Sequence, residues 1–199
     1  MQSVFGIGDH PRCPASFNLA AYALSFADVT PNKPALLMVN SQKVTETWSY
    51  EDLRNAVLST AYGFLKKGLC PKDRILLRLG NTVEFPIAYL AGIAVDLVPV
   101  PTSPQLTERE VEAIISTIQP KAILTSDEAQ CPEQTNAVQI SQKELKEMQK
   151  EPLANFTYGD PNRLAYIVFT SGTSAHPNAV MHAHRAIWAR QMMVRDWYN

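Results

Sequence analysis

The 199-residue sequence is poor in several things, and each shortage excludes a class of protein. Its three cysteines, Cys13, Cys70 and Cys131, are odd in number and far apart, so neither a disulfide framework nor the paired spacing of a zinc site is present. That usage, together with an N-terminus (MQSVFGIGDHPRCP) that lacks the basic start and apolar run of a secretion signal, sets a reducing, cytoplasmic setting as the expectation. No apolar stretch is long enough for a membrane span. No charge sign dominates either: 18 Lys and Arg face 19 Asp and Glu, a formal net charge of −1, which argues against a generalised grip on nucleic acid or an anionic membrane. Any phosphate contact must therefore be local. A Walker-type glycine–lysine pairing is absent, which argues against an ordinary P-loop NTPase, and there is no internal repeat or low-complexity segment.

What remains is a chain with 46% hydrophobic and 19% charged residues, long enough to bury a core without staples. Its elements alternate. Ser16 and Asn18 open a helix whose apolar face is Leu19, Tyr22, Ala23 and Phe26, stopped before Pro31. Ala35–Asn40 and Lys43–Trp48 read as a hairpin. Ser49 and Asp52 cap a helix with the stripe Leu53, Val57, Phe64 and Leu65, ending at Gly68. Arg74–Leu79 is a short apolar run suited to a buried parallel strand, and a helical pattern follows through Phe85, Ala88, Tyr89, Gly92 and Ile93. Strands are expected at Leu97–Val100, Lys121–Thr125 and Ala137–Ile140. Capping boxes at Thr107–Glu110 and Ser141–Glu144 open two more helices, the second presenting a solvated charged face over Lys143–Glu151. The alternation predicts an α/β fold, a mostly parallel sheet with helices on both faces. In such sheets ligands gather beyond the carboxyl ends of strands, so the chemistry is sought in the loops leaving Leu79, Val100, Thr125 and Thr170.

The fourth of these loops has a chemical signature. The apolar run Arg163–Thr170 leads into Ser171-Gly172-Thr173-Ser174-Ala175-His176-Pro177-Asn178. Four hydroxyls including Thr170 flank one glycine: compact donors, a close backbone approach, and successive N–H groups that together suit a phosphate. The same composition also suits a turn that satisfies only its own backbone. His182 and His184, two apart in a predicted strand, share a face as metal ligands require, but no third ligand is near, and packing or capping is their expected role. Ile187, Trp188, Gln191, Met192 and Arg195 follow at helical spacing and read as a core-packing stripe.

The stretch Thr170–His184 resembles the phosphate-binding loop of the adenylate-forming acid ligases, the superfamily of acyl- and aryl-CoA synthetases, luciferases and peptide-synthetase adenylation domains. Cys70–Arg74, Asn81–Tyr89, Val98–Thr102 and Pro120–Leu124 resemble successive upstream segments of its N-terminal domain, most nearly those of benzoate-CoA ligase. The resemblance runs from about Phe17 to Trp188. It implies residues 1–15 as an arm and 16–199 as part of an N-terminal α/β domain. It also implies activation of an aryl or fatty carboxylic acid as an acyl-adenylate before transfer to coenzyme A, with ATP and Mg. By position, Thr170, Ser171, Gly172, Thr173, Ser174 and Asn178 would bind the nucleotide phosphates; no catalytic residue and no resident metal ligand is assigned.

The departures from that pattern matter. Relatives usually carry glycine where Ala175 and Ala179 stand and lysine where Asn178 stands. An alanine forced to positive φ costs about 1 kcal/mol, and a neutral amide replaces a cation. The family's adenine-, ribose- and lysine-bearing motifs are not in this sequence. The expectation is therefore the opening portion of a longer ligase, inactive in adenylation alone and prone to self-association. The alternative is a non-catalytic α/β binding or interaction module with a degenerate phosphate loop.

Overall fold

A computed structural model describes residues 11–40, 43–127, 129, 131, 135–170 and 178–198, with only the backbone for 195–198. At its centre β3 (Arg74–Arg78) lies between β4 (Val98–Pro101) and β5 (Ala122–Thr125), with β6 (Val138–Ser141) outside β5, all four parallel. β3, β4 and β5 are short, mainly apolar runs because both of their faces are covered, while β6 leaves Val138 and Gln139 exposed. Ile75 and Leu77 point into one core and Leu76 into the other, all fully buried. The first core is closed by α2 (Tyr50–Lys66), α3 (Glu84–Ala94) and α5 (Gln142–Met148). The second is closed by Val111, Ile114 and Ile118 of α4 (Glu108–Ile118). The α/β class with helices on both faces is thus as the alternation predicts.

Local chemistry sets the helix starts. Ser49, Thr107 and Ser141 each accept a hydrogen bond from the backbone N–H three residues on, while Asp52, Glu110 and Glu144 reach back to the cap. The Lys67 ammonium, donating across 2.8 Å, and the Ser141 backbone N–H hold the Glu144 carboxyl down at about 2. The charged segment after Ser141 is more than a solvated face. Leu145 and Met148 are buried, and Gln142 Nε2 donates across 2.8 Å to the buried carboxylate of Glu84.

Two hairpins flank this frame. β1 (Pro34–Asn40) pairs antiparallel with β2 (Lys43–Ser49), and β7 (Leu164–Thr170) with β8 (Asn178–Ala183). β7 packs beside β4. Among the described residues the parallel order therefore holds for four strands, and β8 runs back along β7. The first helix is shorter than its apolar spacing predicts. α1 (Leu19–Ala23) gives way to a 3-10 turn over Ser25–Asp28, which leaves Phe26 half exposed beside the Tyr50 ring at 5.5 Å, outside the expected buried stripe. In α6 (Ala186–Tyr198), Trp188 does pack inward, against Phe17 and Tyr22, and its indole N–H donates to the Pro11 carbonyl.

The contact between α2 and α5 depends on Gly63. A Cβ there would lie 2.5 Å from Met148 Cγ and 2.9 Å from its Cβ, atoms too close to their own backbone to swing clear. Gly63→Val is expected to cost about 2 kcal/mol by overpacking and to lower the thermal midpoint by about 4–8 °C. A melt within a degree of the parent would contradict this packing.

Candidate functional site

The four loops at the carboxyl ends of the strands differ in what their polar groups already do. After β3, the buried Arg78 guanidinium donates to the carbonyls of Ser103, Pro104 and Leu106, and the Thr82 hydroxyl to Leu79. After β4, the Thr102 hydroxyl and N–H both donate to the Leu77 carbonyl at 3.0 Å. After β5, Ser126 turns its N–H and hydroxyl onto the Arg78 carbonyl. These three loops are bound to one another. The end of β7 is different: Thr170 is exposed, and its hydroxyl has no partner among the described residues.

Thr170 stands directly opposite Asn178 across the hairpin. The two form the base of the hydroxyl-rich segment, so two of the six expected phosphate-binding residues are brought together at one strand end. Ser171, Gly172, Thr173 and Ser174 lie outside the described residues, as do Ala175 and His176. Ala179, whose methyl was expected to strain the loop, sits in β8 opposite Phe169 and is not among the positive-φ residues. Extended backbone accommodates alanine without that cost, so the strain expected at Ala179 is absent. Arg185 is exposed, with its backbone N–H on Pro161.

Of the two histidines, His182 lies in β8 and His184 just beyond its end at Ala183, and they meet different partners. The His182 ring stacks on Tyr166 at 4.6 Å and 9°. His184 is fully buried, and its Nδ1 accepts from the Leu19 N–H at 3.1 Å. Among the described residues no group of three His, Cys, Asp or Glu is placed to hold a metal ion.

At the foot of the hairpin is a network that sequence patterning missed. Arg163 Nε donates to Asp96 Oδ1 at 2.7 Å, and its Nη atoms donate to the carbonyls of Phe17 (2.7 Å), Thr157 (2.8 Å) and Asp160 (3.0 Å). Asn18, fully buried, caps α1 with its oxygen and donates its amide to Ile93, Ala94 and Thr157. Asp96 holds φ +65°, a left-handed conformation. The only sequence signal was an Asp between two apolar runs, which reads as an ordinary turn. A groove of about 420 Å³ lined by Lys72, Arg74, Asp96, Arg163, Leu164 and Met181 lies toward the amino ends of the parallel strands. That is the opposite edge from where open α/β sheets bind ligands.

With the fold and this strand end described, the comparisons with known proteins place the chain. Residues 25–198 match the family described as AMP-binding enzyme, and the chain belongs to it. Curated relatives include the crotonobetaine/carnitine–CoA ligase of Citrobacter koseri, 27% identical over 181 residues, covering 79% of this chain and 35% of that protein. Enterobactin synthase component F of Escherichia coli O157:H7 is 25% identical, with 90% and 14% covered. The chain thus spans about a third, or less, of the length of these relatives. Among solved structures, the acetoacetyl-CoA synthetase of Streptomyces lividans superposes with a TM-score of 0.76 at 20% identity, covering 89% of this chain and 32% of that one. A benzoate CoA ligase of Burkholderia xenovorans LB400 gives 0.71 at 20%, covering 87% and 36%. These structural likenesses establish the fold, that of the N-terminal domain of adenylate-forming ligases. Among the described residues no helix is long and apolar enough to cross a membrane.

His184 makes the hairpin foot sensitive to pH. Burial pulls its pKa down to about 4; the Arg163 guanidinium acts the same way and the Asp96 carboxylate opposes both. The unfolded chain takes up this proton near pH 6.5 and the folded chain only near 4. The stabilisation is therefore complete above about 6.5 and is lost as pH falls toward 4, up to about 3 kcal/mol in all. Urea unfolding of the parent should weaken over that window, and His184→Gln should remove about one proton's worth of the slope. Equal slopes in both proteins would contradict the burial of a neutral imidazole.

Proposed function

We propose that this chain supplies the phosphate-binding part of an ATP-dependent acid–CoA ligase. In this reading the strand end at Thr170 and Asn178 holds the β- and γ-phosphates while the acid is adenylated and pyrophosphate leaves. The observation that carries the reading is the one carboxyl-end loop whose base is not bound to its neighbours, in a chain of the AMP-binding family. Donors positioned on the leaving phosphates stabilise the charge that builds there, with Mg sharing that task when bound. Thr170, Ser171, Thr173 and Ser174 would supply hydroxyls, Gly172 a close backbone approach, and Asn178 a neutral amide. Coenzyme A and the carboxylic acid belong to the whole ligase. Relatives named for betaine-type, peptide-forming and acyl substrates single out no acid, and the benzoate-like reading rests on distant likeness alone.

The 199 residues by themselves, in this proposal, bind nucleotide phosphate weakly and do not adenylate. Isothermal titration with MgATP is expected to give weak binding that Gly172→Asp abolishes. Asn178→Lys should tighten it about tenfold by restoring a cation beside the phosphates. Pyrophosphate exchange with a panel of aryl, fatty and amino acids is expected to be absent, and any acid-dependent exchange would overturn the inactivity.

A second reading, a binding or interaction module without nucleotide chemistry, is favoured by one observation. A neutral residue, Asn178, stands opposite Thr170 where a phosphate would want positive charge. Titration separates the two, since no heat from MgATP with either the parent or Asn178→Lys would support the module.

A further inference from the structure

We infer that Asp96, Arg163 and His184 act as a register clamp for the β7–β8 hairpin, making Asp96 a positioning residue for the base of the phosphate loop. This deepens the phosphate-binding reading above and rests on it only for its consequence in affinity.

Three observations lead there. First, the hairpin has an irregularity at its foot. Leu164 pairs with Ala183 and Tyr166 with His182, and the ladder shifts register between these pairs. Such a defect inserts one residue on one side, and pairing without it would move one strand by one position. A one-residue slip turns every side chain to the other face, so Thr170 would no longer face Asn178. Second, the residues on both sides of the irregularity are held from outside the hairpin. Arg163, just before β7, is fixed through its side chain to Asp96, Phe17 and Thr157, while its carbonyl accepts the His184 N–H at 3.1 Å. His184, just after β8, is fixed to Leu19 through Nδ1. Because that nitrogen accepts, the neutral ring carries its proton on Nε2. This atom is buried without a hydrogen-bond partner and lies 3.6 Å from Asp96 Oδ1. Both ends of the hairpin therefore converge on one carboxylate.

Third, Asp96 occupies a backbone conformation that favours glycine, at φ +65°. Its carbonyl accepts the Lys72 N–H at 2.6 Å, and Lys72 is itself left-handed at +73°. The turn before β4 is thereby locked to the turn before β3, and the carboxylate is fixed to the central sheet. β7 is fixed by its buried Ala165 and Ile167 and by packing beside β4, but the register of β8 against it is otherwise set by few constraints, since Asn178, Ala179, Val180 and Met181 are exposed. A strand without a buried face resists slippage weakly, so the anchoring at the foot is what selects one register.

The test reads register directly. In a chain with Cys13, Cys70 and Cys131 replaced by serine, two pairs are compared: Thr170→Cys with Asn178→Cys, which reports the native register, and Thr170→Cys with Ala179→Cys, which reports a one-residue slip. Directly opposed strand residues lie within disulfide reach, whereas residues on opposite faces do not. With Asp96 intact, the native pair is expected to oxidise at least tenfold faster than the slipped pair. Asp96→Asn keeps size and tolerance of positive φ but removes the charge. It is expected to slow the native pair at least tenfold and to speed the slipped pair, with Arg163→Lys giving the same direction should Asp96→Asn not fold. Unchanged rates overturn the clamp. So does loss of both pairs, which would make the network a source of stability alone. The consequence in affinity is read separately: MgATP binding weakened by Asp96→Asn should be restored by a disulfide between Val168→Cys and Val180→Cys, an opposed pair that leaves Thr170 and Asn178 in place. Should the parent bind no MgATP, the phosphate reading fails while the oxidation rates still decide the clamp.

Discussion

The pairing of Arg163 with Asp96, both largely but not fully out of water, is the constraint on which the rest of the arrangement depends. A guanidinium taken out of water must have its donors satisfied, and a carboxylate beside it must be held in a fixed position. Arg163 meets the first condition with three carbonyls besides Asp96, from Phe17, Thr157 and Asp160. Those carbonyls belong to the lead-in to α1 and to the segment before β7, which never pair in the parallel sheet. Asn18 repeats the pattern from the other side, joining the end of α3 to Thr157. The N-terminal segment, the α3–β4 turn and the hairpin are thus joined by directional hydrogen bonds from two side chains, Arg163 and the buried Asn18.

That polar junction complements a core that could have tolerated sliding. The parallel strands present Ile, Leu and Val to both sides, and such surfaces specify that two elements pack far better than they specify where. Directional hydrogen bonds to one arginine admit a single geometry. The hairpin that bears the proposed phosphate loop packs beside β4 without joining its ladder in the described structure, so side chains at its foot help to set its place.

The fold was legible where the physics is local or periodic. The three capping boxes, the apolar runs of β3, β4 and β5, and the stripe Val111, Ile114, Ile118 could be read because each depends on residues within one or two turns of one another. The antiparallel return after Thr170 was not, since an apolar run looks the same whether its neighbour is parallel or antiparallel. Phe26 fits the helical spacing but falls after α1 has tightened into a 3-10 turn, which periodicity alone does not reveal. Of the site, Thr170 and Asn178 were found through composition and resemblance, and the structure adds that they are opposed. Asp96, Arg163 and His184 lie 67 and 88 positions apart counted from Asp96, and no pattern in a single sequence links such residues.

In the proposed phosphate-binding role, the loop's chemistry depends on the same rigidity. Hydroxyl donors on a strand end bind phosphate through many weak contacts, each sensitive to where the backbone stands. A lysine, by contrast, carries its charge on a flexible stem and adapts to small displacements. Replacing that lysine by Asn178 exchanges a long-range, forgiving attraction for a short-range one. A loop that relies on neutral donors gains from a rigid base more than one that carries its own cation. In that proposal, the neutral residue at position 178 and the clamp at the hairpin foot are two parts of one arrangement, in which geometry provides what charge does not.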